Sequence, residues 1–253
     1  APIGFQDIKL SPESFDLAIG NPPFGSEQLY DKAHPEASKF KIHGFFFAKS
    51  VETLKPGGVL AMVVSKGLMD ANDAMGKAAR AWLSERTRLL GAIRLPNSAF
   101  QENANTEVTT DIIFLQKVSD GVKPNASDWN AMGELTDKAT GQPIAVNKYF
   151  VANPDMMLGE MTLAGSMYKA NEPTLSAREG DNLPDLLAKA IEKLPQGVFK
   201  VGKAAFVEKA QAQAATGTAD VREYGHYIKD GKLFQRQPDY NGERVDSAIP
   251  MDG

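Results

Sequence analysis

The chain has 253 residues, a net charge of -4 and no cysteine, which excludes disulfides, thiolate zinc sites and cysteine nucleophiles. An acidic chain gives no electrostatic argument for a nucleic-acid partner, so any such case has to rest on a site. With 42% hydrophobic and 24% charged residues the composition is that of a globular protein with a sizeable core; no stretch reaches the ~18 to 20 apolar residues that span a bilayer, and Ala1–Phe5 is not a signal peptide.

The chain opens without methionine, close to a strand-like run, and reads as a fragment or a processed piece. Phe15–Ile19 is a short apolar run closed by Gly20 and Asn21, the pattern of a buried strand entering a loop. The polar stretch Ser26 to Lys41 is expected to be a mobile loop on the substrate side. Phe46, Phe47, Ser50, Val51 and Leu54 recur at helical spacing and predict a helix over 43–54, stopped by Lys55-Pro56-Gly57-Gly58. Val59–Val64 suits a buried parallel strand. A second helix is predicted over 71–85, with Met75, Ala78, Ala79 and Trp82 on one side, and strands over Leu89–Leu95 and Thr109–Leu115. Strands alternating with helices predict an α/β fold around a mainly parallel sheet.

Residues 118–145 are polar and rich in turn formers, which predicts a linker or long loop. Residues 147–176 read as an ordered extension packed on the core, and Pro184–Leu194 as a short amphipathic helix. Residues 208–220 read as flexible, and Asp230-Gly231 between apolar flanks predicts a hairpin over 227–234. The expected division is therefore 1–120, 121–207 and 208–253.

Asn21-Pro22-Pro23-Phe24 follows directly on a strand, and ligands of open α/β sheets bind outside the carboxyl ends of strands. An aromatic exocyclic amine is a poor nucleophile because its lone pair is delocalised into the ring. Two acceptors that take its N–H protons localise that pair; the Asn21 side-chain oxygen and the Pro22 backbone carbonyl are candidates. Consecutive prolines fix φ and stiffen the loop, so both acceptors are held in place before a substrate arrives. Phe24 offers a face for a flipped base, a stacking worth ~1 to 3 kcal/mol, comparable to the few kcal/mol of extrusion.

These residues resemble motif IV of amino-group DNA methyltransferases, and further motifs follow in that family's order: His43 to Lys49 with Leu54 to Gly58, then Val59–Val64, Leu90–Pro96 and Thr110–Lys117. The resemblance is to the adenine-N6 group of gamma order, in particular to the methylase part of helicase–methylase proteins of phages and plasmids. It implies a partial Rossmann-like sheet of strands 4-5-7-6 with a C-terminal α+β extension, S-adenosyl-L-methionine as cofactor, DNA as partner, and a cytoplasmic setting. It gives catalytic roles to Asn21, Pro22, Pro23 and Phe24, with Asn21 also facing the cofactor, and places Phe46 against the cofactor's adenine. The family's second base-stacking aromatic is missing from Asn103 to Glu107, leaving Phe100 as the nearest candidate, and Ser65 stands where the family has proline. No glycine-rich cofactor loop is present. The missing N-terminal half of the catalytic domain, and a helicase domain, are thus implied partners, and the isolated chain is expected to be inactive, to bind cofactor poorly and to self-associate along its first strand.

The tetrapeptide alone leaves alternatives open: methylation of RNA bases or of glutamine amides, or a non-catalytic DNA-binding remnant. His34, His43 and His226 lack ligand spacing and read as surface or structural, so no metal is expected. Lys32, Lys39 and Lys41, and Arg222, Lys229, Lys232 and Arg236, are candidate phosphate contacts, with a solvated face as the plainer reading.

Overall fold

The computed structural model describes residues 3–100, 108–119, 121–122, 124, 128–165, 171–199, 226–229, 232–236 and 246–249. It divides into two compact units, 1–200 and 201–253.

The first unit is built on a four-stranded sheet of β1 (Phe15–Gly20), β2 (Leu54–Ser65), β3 (Thr87–Leu95) and β4 (Thr110–Lys117), in the order β1-β2-β4-β3. β1 runs parallel to β2, and β4 lies antiparallel between β2 and β3, so β1, β2 and β3 share one direction. This is the order and direction that a 4-5-7-6 half sheet requires. Helix α1 (Ile42–Thr53) carries the chain from the end of β1 to β2, and the short α2 (Gly67–Asp70) and α3 (Ala74–Arg86) carry it from β2 to β3. The apolar faces of α1 and α3 close a core in which Phe45, Phe47, Leu54, Leu60, Leu83, Ile93 and Ile113 are fully buried.

Several boundaries differ from the sequence reading for local reasons. Helix α1 ends at Thr53, not at a glycine: Leu54 is already extended, its N–H bonded back to the carbonyls of Ser50 and Val51. Lys55 to Gly58 instead form a bulge, where the β1–β2 register jumps from Phe15↔Leu54 to Leu17↔Val59. Gly57 takes φ +82° there, a conformation side chains disfavour. The helix expected over 71–85 is α3, which starts at Ala74 because the Asp73 carboxylate caps it by accepting from the Gly76 N–H at 2.7 Å; the short α2 before it was not expected.

That cap is testable. Asp73→Ala should lower stability by ~0.5 to 2 kcal/mol at neutral pH, read by denaturant unfolding. Its hydrogen bond from Lys41, and then that from Gly76, hold the Asp73 carboxyl below the usual range. The folded value lies below the unfolded one, so this contribution is present at neutral pH and is lost as pH falls through the folded value. The gap between wild type and variant should therefore close in acid.

Residues 26–41, expected to be mobile, are tied down. Ala37 and Phe40 are buried, Gln28 bridges to Lys41, and Asp31 reaches inward to the fully buried Lys49 ammonium at 2.6 Å. The same ammonium donates to the carbonyls of Phe5 and Ile8, which fixes the segment before β1. Burial works to raise the Asp31 carboxyl, but Lys49 and the Ala33 N–H outweigh it and hold the group low.

Residues 118–145, expected to be linker, contain the antiparallel pair β5 (Met132–Thr136) and β6 (Pro143–Asn147), with Trp129, Ile144 and Val146 in the core. Asn147 anchors it: its buried amide donates to the carbonyls of Met69 and Trp129, and its oxygen accepts from the Tyr149 N–H that starts α4 (Lys148–Ala152). A further pair, β7 (Glu160–Gly165) and β8 (Glu172–Ser176), and the amphipathic α5 (Leu183–Glu192) complete the extension. The extension is locked to the sheet through Arg94, which is fully buried. Arg94 takes Asp111 in a two-point bond at 2.7 and 2.9 Å and Asp70 at 2.7 Å, while the Phe150 ring lies 4.3 Å from its guanidinium.

The second unit shows a three-stranded antiparallel sheet, β9 (His226–Lys229), β10 (Lys232–Arg236) and β11 (Asp246–Ile249), in the order β11-β10-β9. The expected hairpin is thus present as β9 and β10, with Tyr227 and Phe234 stacked across it at 5.6 Å. Arg222, residues 208–220 and the His226 side chain lie outside the described residues. Among those described, no helix is long and apolar enough to cross a membrane.

Candidate functional site

The loop Asn21–Phe24 leaves the carboxyl end of β1, the edge strand of the sheet. Pro22 is buried and anchors the loop, while Asn21 and Pro23 are exposed and Phe24 is 40% exposed. The Asn21 side chain makes no hydrogen bond among the described residues, so its oxygen is free to accept one.

Two hollows adjoin the loop and the residues that follow it, and Pro23 and Phe24 line neither. Asn21 and Pro22 line one of about 370 Å³, walled by Phe5, Leu17, Ile19, Phe46 and Met62. Gly25 and Ser26 line the other, of about 220 Å³, walled by His43, Gly44, Ser65 and Leu68 and rimmed by Lys41 and Asp73. Both are several times the ~30 Å³ share of one liquid water.

The first hollow bears on Phe46 and on the cofactor. Phe46 is partly buried, and one of its faces is stacked on Phe5 at 4.6 Å and 19°. No residue lining this hollow is ionisable. Its largely apolar residues would suit the flat apolar part of S-adenosyl-L-methionine. They provide no charged group for its ribose or amino-acid end.

The second hollow brings in a residue that sequence reasoning left as surface or structural. His43, the second residue of α1, is 7% exposed. Its ring meets Phe24 edge to face at 5.6 Å and 84°, and its Nδ1 lies 3.3 Å from the Ser65 hydroxyl at the end of β2. Burial pushes the His43 ring below its ordinary value, against a smaller opposing pull from the Pro23 carbonyl, so it is neutral at physiological pH. Its Nε2 is buried and has no hydrogen-bond partner among the described residues. Ser65, where the sequence departs from the family's proline, is what lets β2 end on a hydroxyl facing this ring.

Other candidates fall elsewhere. Phe100 is partly buried against the core and lines neither hollow, and Asn103 to Glu107 lie outside the described residues. Lys39 and Lys41 pair on the surface with Glu36 and Asp73, and His34, read as surface or structural, is buried and pairs with Glu52. β1 presents Phe15, Leu17 and Ile19 to solvent at 42%, 40% and 74% exposure.

Residues 3–100 match the family described as Eco57I restriction-modification methylase. A 106-residue stretch, 42% of the chain, is 29% identical to "Defense against restriction protein B" of Escherichia phage P1, of which it spans 5%. Among solved structures, the M protein of the type I restriction enzyme EcoKI aligns over 81% of this chain and 51% of its own, at 16% identity and a TM-score of 0.36. A putative class I S-adenosylmethionine-dependent methyltransferase from Listeria monocytogenes aligns over 47% and 37%, at 22% identity and a TM-score of 0.35. Superpositions this loose carry no argument; the fold rests on the sheet order itself. The resemblance read from the motifs agrees with this match where the loop lies: residues 3–100 are similar to the Eco57I restriction-modification methylases.

Proposed function

We propose that this chain carries the catalytic and base-binding loop of an enzyme that methylates N6 of adenine in DNA. The observation that supports this most is the loop at the carboxyl end of the edge strand, where Asn21, bonded to no described residue, lines one hollow and the exposed Phe24 meets His43, which lines another. In this reading the Asn21 oxygen and the Pro22 carbonyl accept the two protons of the amino group, and Phe24 stacks on the extruded base. S-adenosyl-L-methionine supplies the methyl group when bound, with its adenine against Phe46. The exposed apolar edge of β1 takes the cofactor-gripping half of the catalytic domain; a helicase domain and a cytoplasmic setting follow the resemblance alone.

The test is to express the chain with its natural upstream sequence and offer tritiated cofactor with DNA, RNA and protein acceptors. Label recovered as N6-methyladenine from DNA is the expected result. Label only in RNA or in glutamine would replace the substrate, and none anywhere would leave a non-catalytic remnant. Phe24→Ala should weaken binding of DNA with an unpaired target adenine by ~1 to 3 kcal/mol in a titration, the worth of one stacked base. An unchanged affinity would remove Phe24 from the base site.

A further inference from the structure

We propose that His43, held by Ser65, is the positioning residue that sets the aim of the Asn21–Phe24 loop. This rests on the functional reading above for its consequence, but not for its geometry. The loop's exposed face has little else to hold it: Asn21 is unpaired, Pro23 is exposed, and neither proline has an N–H to donate. Among the described residues, the buried ring in contact with the loop is that of His43. The His43 and Phe24 rings meet edge to face, and the Pro23 carbonyl is near enough to act on the ring's proton affinity. The ring itself cannot drift, because His43 sits in the first turn of α1 and the Ser65 hydroxyl engages Nδ1 from the last residue of β2.

The chemistry of the pair is specific. A neutral imidazole has one N–H and one bare nitrogen, and the hydrogen bond at one nitrogen selects the state of the other. When the Ser65 hydroxyl donates to Nδ1, Nε2 carries the proton. Nε2 is then a buried donor with no acceptor among the described residues, an arrangement that carries a desolvation cost. A small closing movement of the loop that improves the contact with the Pro23 carbonyl relieves that cost. Stacking of a base on Phe24 pushes in the same direction, so the His43–Ser65 pair favours the closed loop that places the Pro22 carbonyl and Asn21 amide on the amino group.

Three substitutions separate the contacts. His43→Phe keeps a ring against Phe24 and loses both nitrogens. His43→Asn keeps a polar atom near Ser65 and loses the ring. Ser65→Ala removes the hydroxyl alone. The first readout needs no substrate: 4-fluorophenylalanine is placed at position 24 and its 19F resonance recorded. The wild-type line should be shifted by the His43 ring, and should move in His43→Asn and broaden in Ser65→Ala as the ring loses its tether. The second readout is methyl transfer by the protein expressed with its natural upstream sequence. All three variants should lose on the order of 10- to 100-fold in kcat, the cost of a misaimed reacting group, with the KM for cofactor unchanged. Unfolding midpoints measured alongside identify any variant that is simply unstable, and Ser65→Ala, the mildest change, is the deciding variant if those at His43 misfold. A 19F line that ignores both His43→Asn and Ser65→Ala overturns the proposal, as does a wild-type kcat in Ser65→Ala and His43→Phe. If the 19F line responds as expected while wild type puts no methyl group into DNA, the positioning stands and the functional reading falls.

Discussion

Arg94→Met should cost ~3 to 5 kcal/mol of stability at neutral pH, the penalty for removing one partner of a buried charge cluster. Arg94 and Asp111 are opposite each other across β3 and β4 and both are fully buried. Without the guanidinium, the Asp111 carboxylate has no counter-charge at contact and no route to water, and Asp70 keeps only the Asn147 N–H. The loss propagates, because the Phe150 ring packs on Arg94 and the Leu158 N–H bonds to its carbonyl. Met keeps the volume filled where Ala would not, so the measured loss is electrostatic.

The pH dependence gives a second check. Burial pushes the Asp111 carboxyl up, and Arg94 is the main influence pulling it back. Removing Arg94 therefore raises it further above its unfolded value of ~3.9. A group whose folded value is the higher one binds its proton more tightly in the folded state, so stability falls as pH rises through that value. The deficit of Arg94→Met should be fully present at neutral pH and should shrink as pH is lowered towards the unfolded carboxylate range. Adding Asp111→Leu should recover part of it, since an apolar pair needs no counter-charge. Urea unfolding at several pH values tests all three statements, and a deficit under ~1 kcal/mol that is flat with pH would show the cluster is solvated.

The contrast between this cluster and the loop shows what the sequence made legible. The four strands and the loop were readable because the signals are local, apolar runs of strand length with Asn21-Pro22-Pro23-Phe24 at the end of the first, whereas the strand order came only from the family resemblance. The β5–β6 pair was not, because its strands are short and its order depends on Asn147 reaching Met69, 78 positions away. His43 was missed for the same kind of reason: a polar residue opening a helix looks exposed until β2 brings Ser65 beneath it. Arg94 and Asp111 did leave a trace. Each is the lone charge in the apolar run read from the sequence, Leu89–Leu95 and Thr109–Leu115, and two such residues of opposite sign in consecutive antiparallel strands are a reason to expect a buried pair.

Asn21→Ala should lower kcat for methyl transfer by ~10²- to 10³-fold, the usual cost of deleting one preorganised polar partner of a reacting group. The Asn21 amide bonds to no described residue, so its removal leaves no buried group unpaired and the fold should be unaffected. In the proposed role its work is done only when an amino group arrives: accepting a hydrogen bond from one N–H and leaving the lone pair directed at the methyl donor. The interaction strengthens as the nitrogen loses its conjugation, so it belongs to the transition state more than to the bound substrate. KM for DNA should accordingly move little while kcat and kcat/KM fall together. Asn21→Asp should retain more activity than Asn21→Ala, because a carboxylate also accepts, and Asn21→Leu, which fills the same volume with no acceptor, should match Ala. Steady-state methylation with matched unfolding curves distinguishes these cases. If Asn21→Leu retained wild-type kcat with a folded protein, the loop would not be the place where the amino group is activated.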